Sequence, residues 1–239
     1  MRTSRPMAMM MTMIDRQKTL YLLILLLLVS TVKSVGQQKD FQSWYELELN
    51  KDLKSGIDLS LEAEQRFENN SMQYDRSVLT LTADYDLLDF LNAELGVRGL
   101  VRMDRERRLT PRYRLHADAT LEQSLAEFDF SLRSRLQYGF DELGLARDAV
   151  YSKLVNRNKL QVQYDIFGTR FAVTAYVESY HRLNSTAIRS FYRMRYSAGI
   201  QYTLGFRSAL NLKYILEDEF NVTDPLQAHI LVAGFSYDF

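Results

Sequence analysis

The chain has 239 residues, with no Cys, three Pro, and 30 basic residues that balance 30 acidic ones. The lack of Cys excludes a disulfide scaffold, a Cys-ligated zinc or iron–sulfur site, a thiol nucleophile and a bacterial lipoprotein anchor. The balanced charge argues against a general nucleic-acid binder. A hydrophobic share of 46% suits a soluble domain, but this average hides two very different segments.

Residues 1–36 have the features of a signal peptide. Four basic residues precede an apolar run at 20–29, and small residues at 34 and 36 fit a signal-peptidase cut before Gln37. A retained membrane anchor is the alternative, although a spanning helix needs about 20 apolar residues. The remaining 203 residues, 37–239, carry 25 basic and 29 acidic residues, a net charge of −4. We expect them to form one exported domain.

Apolar and polar residues alternate over long stretches of this domain. In the segments 57–67, 128–140 and 192–204, one face holds 18 apolar residues in 20 positions and the other holds none in 17. A helix cannot gather this pattern onto one face, because a period of two sweeps around its axis. The segments are therefore predicted to be β-strands with one apolar and one polar face.

The length of these strands separates a soluble sheet from a membrane barrel. The alternating segments run 11 to 14 residues, whereas soluble strands usually have about 5–6. At about 3.3 Å per residue and a tilt near 40°, each strand rises about 28–35 Å, enough to cross an outer membrane. A soluble ligand-binding barrel, with its apolar face inside, is the alternative. Aromatic residues at strand ends, such as Phe128, Tyr138 and Phe140, favour the membrane barrel.

The whole pattern predicts an all-β, antiparallel transmembrane outer-membrane β-barrel of about 10–12 strands. The candidate strands are 42–51, 57–67, 76–88, 91–103, 111–123, 127–140, about 150–165, 170–181, 190–204, 207–220 and 227–239. Tight turns alternate with longer polar loops, as periplasmic and extracellular connections do. Because bacterial single-chain barrels have an even number of strands, we expect ten or twelve strands, with 41–50 and 149–165 as the doubtful regions.

The last strand carries an aromatic pattern of its own. Phe235, Tyr237 and Phe239 lie two residues apart and so share a face. This resembles the terminal strand that the barrel-assembly machinery recognises in outer-membrane proteins. The resemblance implies that this machinery and periplasmic chaperones are partners during biogenesis, and that outer-membrane lipid surrounds the finished barrel. No nucleic-acid partner is expected.

Short motifs point to a narrower likeness. The chain opens with Trp44-Tyr-Glu46-Leu-Glu48 and continues with Leu-Ser-Leu-Glu-Ala-Glu-Gln-Arg-Phe at 59–67, and later with Arg-Asn-Lys-Leu at 157–160 and Tyr164. Together with the aromatic last strand, these stretches resemble a family of uncharacterised bacterial outer-membrane barrels catalogued as domain of unknown function 2490. The resemblance covers nearly all of 37–239. It implies the barrel fold and no particular activity.

The polar faces of the strands would line the lumen, and their charges change along the chain. The expected lining is acidic in the early strands, at Glu46, Glu48, Asp58, Glu62, Glu64, Asp84, Asp86 and Glu94. It becomes mainly basic later, at Arg98, Arg102, Arg112, Arg114, Arg133, Arg135, Arg193 and Arg195, with Arg66 and His116 also on inward faces. Because closure brings the first strands beside the last ones, the acidic and basic walls can meet across a narrow lumen.

Two functions fit such a lumen. The first is a paired charge network that stiffens the barrel and leaves little pore, since unpaired buried charge is costly. The second is a narrow polar channel or small-ligand site in which the Arg residues favour anions. Both are non-enzymatic, and envelope structure is the remaining role of this class.

An outer-membrane lipid-modifying enzyme is the alternative. His181 ends a strand and Ser185 follows four residues later, which is weakly similar to a lipid-modifying His/Ser pair. Glu178, taken to lie on the same inward face, would orient the imidazole. The surrounding motif does not match such enzymes, so we assign no catalytic residue. Three scattered His residues without Cys give no metal-ligand spacing, and no cofactor or metal is expected.

Overall fold

The computed structural model describes residues 38–53, 56–103, 108–140, 153–184 and 190–239. The predicted signal peptide at 1–36 and the candidate Ser185 lie outside these ranges. Among the residues that are described, no helix is long and apolar enough to cross a membrane.

The described residues form eleven β-strands. They are β1 (Gln38–Leu53), β2 (Ile57–Glu68), β3 (Gln73–Leu88), β4 (Leu91–Met103), β5 (Leu109–Leu125), β6 (Phe128–Phe140), β7 (Lys153–Asp165), β8 (Phe171–Arg182), β9 (Phe191–Gly205), β10 (Ser208–Glu219) and β11 (Leu226–Asp238). The predicted strands match these bounds to within four residues, and the largest difference is at the start of β1. The two doubtful regions are β1 and β7, and both are full strands.

The strands close into a single barrel in chain order. Each strand pairs antiparallel with the next, but β1 and β11 pair in parallel, from Gln38 opposite Leu226 to Asn50 opposite Asp238. The expectation of an even number of strands is therefore wrong. A chain that reverses at every connection points its first and eleventh strands in the same direction, so an odd barrel closes through a parallel pair.

The connections differ in length between the two ends of the barrel. At one end, the turn side, they have two to five residues, and at the other, the loop side, four to twelve. This alternation agrees with the prediction, and it matches the short periplasmic turns and longer extracellular loops of outer-membrane barrels.

The outer surface of the barrel is apolar. Large aliphatic side chains are exposed along it, including Leu79 at 54%, Leu95 at 68% and Leu132 at 48%. A soluble barrel would bury this face, so the soluble alternative is wrong. Apolar surface of this extent is unfavourable in water and stable in lipid. The fold is that of a transmembrane β-barrel, as predicted.

One wall inside the barrel is also apolar. Ile215, Ala228, Ile230 and Val232 pack together with Trp44 on the inner side of β10, β11 and β1. Ile230 and Val232 are completely buried. The apolar wall supports the indole of Trp44 from one side and so fixes its position within the lumen.

Candidate functional site

All eighteen residues expected in the lumen line three cavities, which lie inside the barrel and at its two ends. Their charges separate along the barrel axis as well as around the wall. At the loop side, a cavity of about 440 Å³, here called the loop-side chamber, is lined by eleven basic and three acidic residues. At the turn side, a cavity of about 630 Å³, the turn-side mouth, is lined by eight acidic and three basic residues. The two ends of the lumen thus carry opposite charge.

The basic residues of the loop-side chamber come from seven strands. They are Arg66, Arg76, Arg98, Arg102, Arg112, Arg114, Lys153, Arg157, Arg182, Arg193 and Arg195. The acidic residues of the turn-side mouth are Glu48, Asp52, Asp58, Asp84, Asp86, Glu94, Glu122 and Asp238. A central cavity of about 630 Å³ overlaps both, and it meets the loop-side chamber at Trp44, Arg98, Arg157 and Arg195. We call these four residues the middle belt.

The indole of Trp44 lies between two guanidiniums. The Arg66 guanidinium is 3.6 Å from its ring centre and that of Arg195 is 5.3 Å away. Arg66 donates from Nε to Glu64 at 2.7 Å, and Arg195 pairs with Glu217. Cation–π contacts of this kind strengthen when they are shielded from water. The two contacts hold the indole in place against the apolar inner wall.

A buried carboxylate holds the opposite side of the middle belt. Glu178 is 2% exposed, and its Oε1 accepts hydrogen bonds from Nη2 of Arg157 and Nη2 of Arg133, both at 2.9 Å. The hydroxyl of Tyr180 donates to its Oε2 at 2.7 Å. Three donors on one carboxylate compensate the cost of burying its charge.

A second buried cluster lies on the turn side of the middle belt. Arg135 donates from Nε to Asp118 at 2.7 Å and from Nη2 to Glu94 at 2.8 Å, while Nε2 of His116 lies 2.7 Å from the same Glu94 oxygen. Oxygen and nitrogen atoms of Glu94, His116 and Asp118 lie close enough together to hold a metal ion. The guanidinium of Arg135 already supplies the positive charge there, so the donor set fits an ion-pair cluster better than a metal site.

The imidazole of His116 depends on a glycine for its position. A Cβ added at Gly96 would lie 2.2 Å from both Cε1 and Nε2 of His116, and 2.9 Å from Cγ2 of Thr82. Such distances are far below van der Waals contact. Only Gly at position 96 lets the ring lie this close to the backbone of β4.

The two catalytic candidates that the structure describes, Glu178 and His181, do not come together. Glu178 faces the lumen, while His181 lies three positions further along β8, on the opposite face, and stacks on Phe191 with ring centres 4.9 Å apart. Because side chains alternate along a strand, an odd spacing separates them. The expectation that Glu178 shares a face with His181 and orients its ring is wrong. Ser185 is outside the described residues.

A β-bulge brings an unexpected aromatic ring to the loop-side chamber. The register of β8 against β9 shifts between Tyr180 and His181, which leaves Tyr192 without a partner residue. Alternation alone placed Tyr192 on the outer face, but its ring lines the chamber and lies 5.2 Å from the guanidinium of Arg182. A bulge adds one residue and so reverses the facing of the residues beside it.

Sequence reasoning missed further lumen residues. They are Trp44, Arg76, Lys153, Arg157, Lys159, Tyr180, Arg182, Lys213 and Glu217. Several could have been found from alternation: Trp44 lies two positions before Glu46, and Arg157 lies two before Lys159 on the doubtful strand β7. The ion-pair partner of each residue could not have been found in this way, because it depends on the register between strands.

The aromatic residues of the predicted assembly signal lie at the end of β11 and beyond it. Phe235 pairs with Leu210 across β10, and the backbone N–H of Phe239 donates to the carbonyl of Asn50 at 2.9 Å. The rings of Tyr237 and Phe239 are in edge contact, with centres 5.3 Å apart. The end of the chain is thus tied to the end of β1, next to the parallel seam.

Solved structures of two barrel proteins are similar to this chain. One is the NanC porin, with 14% identity and a TM-score of 0.49 over 79% of this chain and 93% of the porin. The other is the beta domain of the Bordetella autotransporter Brka, with 12% identity and a TM-score of 0.44 over 79% of this chain and 86% of that domain. No curated protein sequence matches the chain significantly.

The family profile described as "Protein of unknown function (DUF2490)" matches residues 41–225. The matched range runs from β1 to the connection before β11 and includes the Trp44 and Arg157 stretches that carried the resemblance. Because the match covers well over half of the chain, the protein belongs to the DUF2490 family.

Proposed function

We propose that this protein is an integral, non-enzymatic barrel of the bacterial outer membrane through which small polar solutes, anions above all, pass. The observation that carries the proposal is the series of three cavities along the axis, in which the central cavity shares lining residues with the cavity at each end. Cavities at both ends and in the centre leave room for solutes that a fully packed lumen would exclude. No arrangement of nucleophile, base and orienting group among the described residues favours an enzyme.

The charges of the lumen support a preference for anions. Three of the four middle-belt residues are arginines, and the loop-side chamber adds eight further basic groups. A chamber lined mainly by one sign of charge raises the local concentration of the opposite ion. The acidic turn-side mouth lies at the other end of the central cavity, so we assign the selectivity to the arginines of the belt.

The location follows from the same features. An apolar exterior requires lipid, and the predicted signal peptide at 1–36 would take the chain across the inner membrane. The aromatic end of the chain, at Phe235, Tyr237 and Phe239, would then present the barrel to the assembly machinery. We expect the protein in the outer-membrane fraction, migrating faster on gels before boiling than after it.

Single-channel recording of the refolded full chain in a planar bilayer tests the passage of solutes. We expect small, discrete steps in KCl and a reversal potential in a KCl gradient that favours chloride. Absence of conductance from correctly folded protein would refute the channel, and a cation-selective conductance would refute the role given to the arginines of the middle belt.

A further inference from the structure

The loop-side chamber has features of a binding site and not only of a passage. Resting on the proposed function, we infer that it holds a small organic anion with two or more carboxylate or phosphate groups, bound by Arg114 on β5 and Arg182 on β8. Three observations among the described residues carry this assignment: guanidiniums that have no carboxylate partner there, buried donors that point at no acceptor there, and aromatic rings beside them.

Arg114 is surrounded by positive charge. It makes no ion pair with any carboxylate of the described residues, and Arg98, Arg76, Arg66 and Arg157 line the same loop-side chamber. Its Cγ packs beside Gly139, where a Cβ would make ordinary van der Waals contact at 3.6 Å. Crowded like charges of this kind are unfavourable unless an anion joins them.

Arg182 adds a donor without an acceptor. Its Nε is buried and makes no hydrogen bond within the described part of the chain, and the same is true of Nε of Arg193 on the next strand. A buried N–H that points at no acceptor costs free energy until a partner binds. Arg182 and Arg114 both line the loop-side chamber, so the two guanidiniums border one space.

The chemistry of the lining decides the class of ligand. Guanidinium forks match the oxygen pairs of carboxylate and phosphate groups, which chloride lacks. The rings of Tyr180 and Tyr192 line the same chamber beside the guanidinium of Arg193 and offer an apolar surface to the carbon skeleton of an organic anion. A volume of about 440 Å³ lies in the range of small-molecule sites, about 300–1,000 Å³.

Isothermal titration calorimetry of the refolded full chain in detergent, with pyrophosphate and with citrate as probes at constant ionic strength, tests the site. The variant is Arg114→Gln with Arg182→Gln. The matched control is Arg170→Gln with Arg207→Gln, which removes the same charge from exposed positions on the turn side. Heat-modifiable migration verifies folding of both, and Arg114→Gln relieves repulsion, so the test variant should fold.

We expect the wild type and the control to bind at least one probe equally, and the test variant to bind it about tenfold or more weakly, as when charge-assisted hydrogen bonds are lost. Pyrophosphate binding alone would assign phosphate groups, and citrate binding alone would assign carboxylates. Failure of both probes to bind, or equal binding by the test variant, would overturn the site. Conductance in KCl needs no polyanion, so a barrel that binds a probe but does not conduct refutes only the passage.

Discussion

Replacement of Glu178 by Gln should destabilise the barrel strongly. The change keeps the shape of the side chain but removes a charge that is 2% exposed and accepts hydrogen bonds from Arg157, Arg133 and Tyr180. Removing one partner of a buried ion pair costs about 3–5 kcal/mol, because the other charge stays buried and uncompensated. Since the Gln carbonyl still accepts one hydrogen bond, we expect about 3 kcal/mol, which lowers the folding equilibrium constant about a hundredfold.

Urea unfolding of the refolded protein in detergent, under conditions where it is reversible, measures this loss. Glu127→Gln, in an exposed two-residue turn, is the control and should change the free energy of unfolding by less than about 0.5 kcal/mol. In the Glu178→Gln background, Arg157→Gln should cost less than it does alone, because the cation it removes has already lost its partner. A loss below about 1 kcal/mol for Glu178→Gln, the value of a surface ion pair, would refute the view that the middle belt is held by buried charge.

Two further predictions concern the lumen. Gly96→Ala should cost about 1–3 kcal/mol of unfolding free energy in the same urea titration, because the new Cβ meets the imidazole of His116. Adding His116→Ala should restore the lost stability. The control Gly99→Ala should have little effect, because a Cβ there meets nothing within 4 Å. Trp44→Ala should raise the single-channel conductance, at a cost of about 3–5 kcal/mol in stability, whereas Trp44→Phe should keep it low. Unchanged conductance in Trp44→Ala would show that the indole does not lie at the narrowest point.

The strands could be predicted from sequence because alternation is a local property. In β4 and β6, residues two positions apart point to the same face, so the side that each residue faces can be inferred from its neighbours. The exposed leucines on the outer surface follow directly from that pattern. The same logic failed where the local period breaks. At the bulge beside Tyr180, one extra residue turned Tyr192 towards the lumen, and a spacing of three, overlooked in the sequence, put His181 and Glu178 on opposite faces.

The sequence by itself determined that the chain forms long two-faced strands, which residues point inward on most of them, and which family it belongs to. Its equal numbers of acidic and basic residues said nothing about where the charges lie. The tertiary structure alone decided the closure of β1 on β11 in parallel, the choice of Glu178 as the partner of Arg157, and the separation of charge between the two ends of the lumen. These features depend on the register between strands and on barrel closure, which join residues far apart in the chain and leave no local pattern to read.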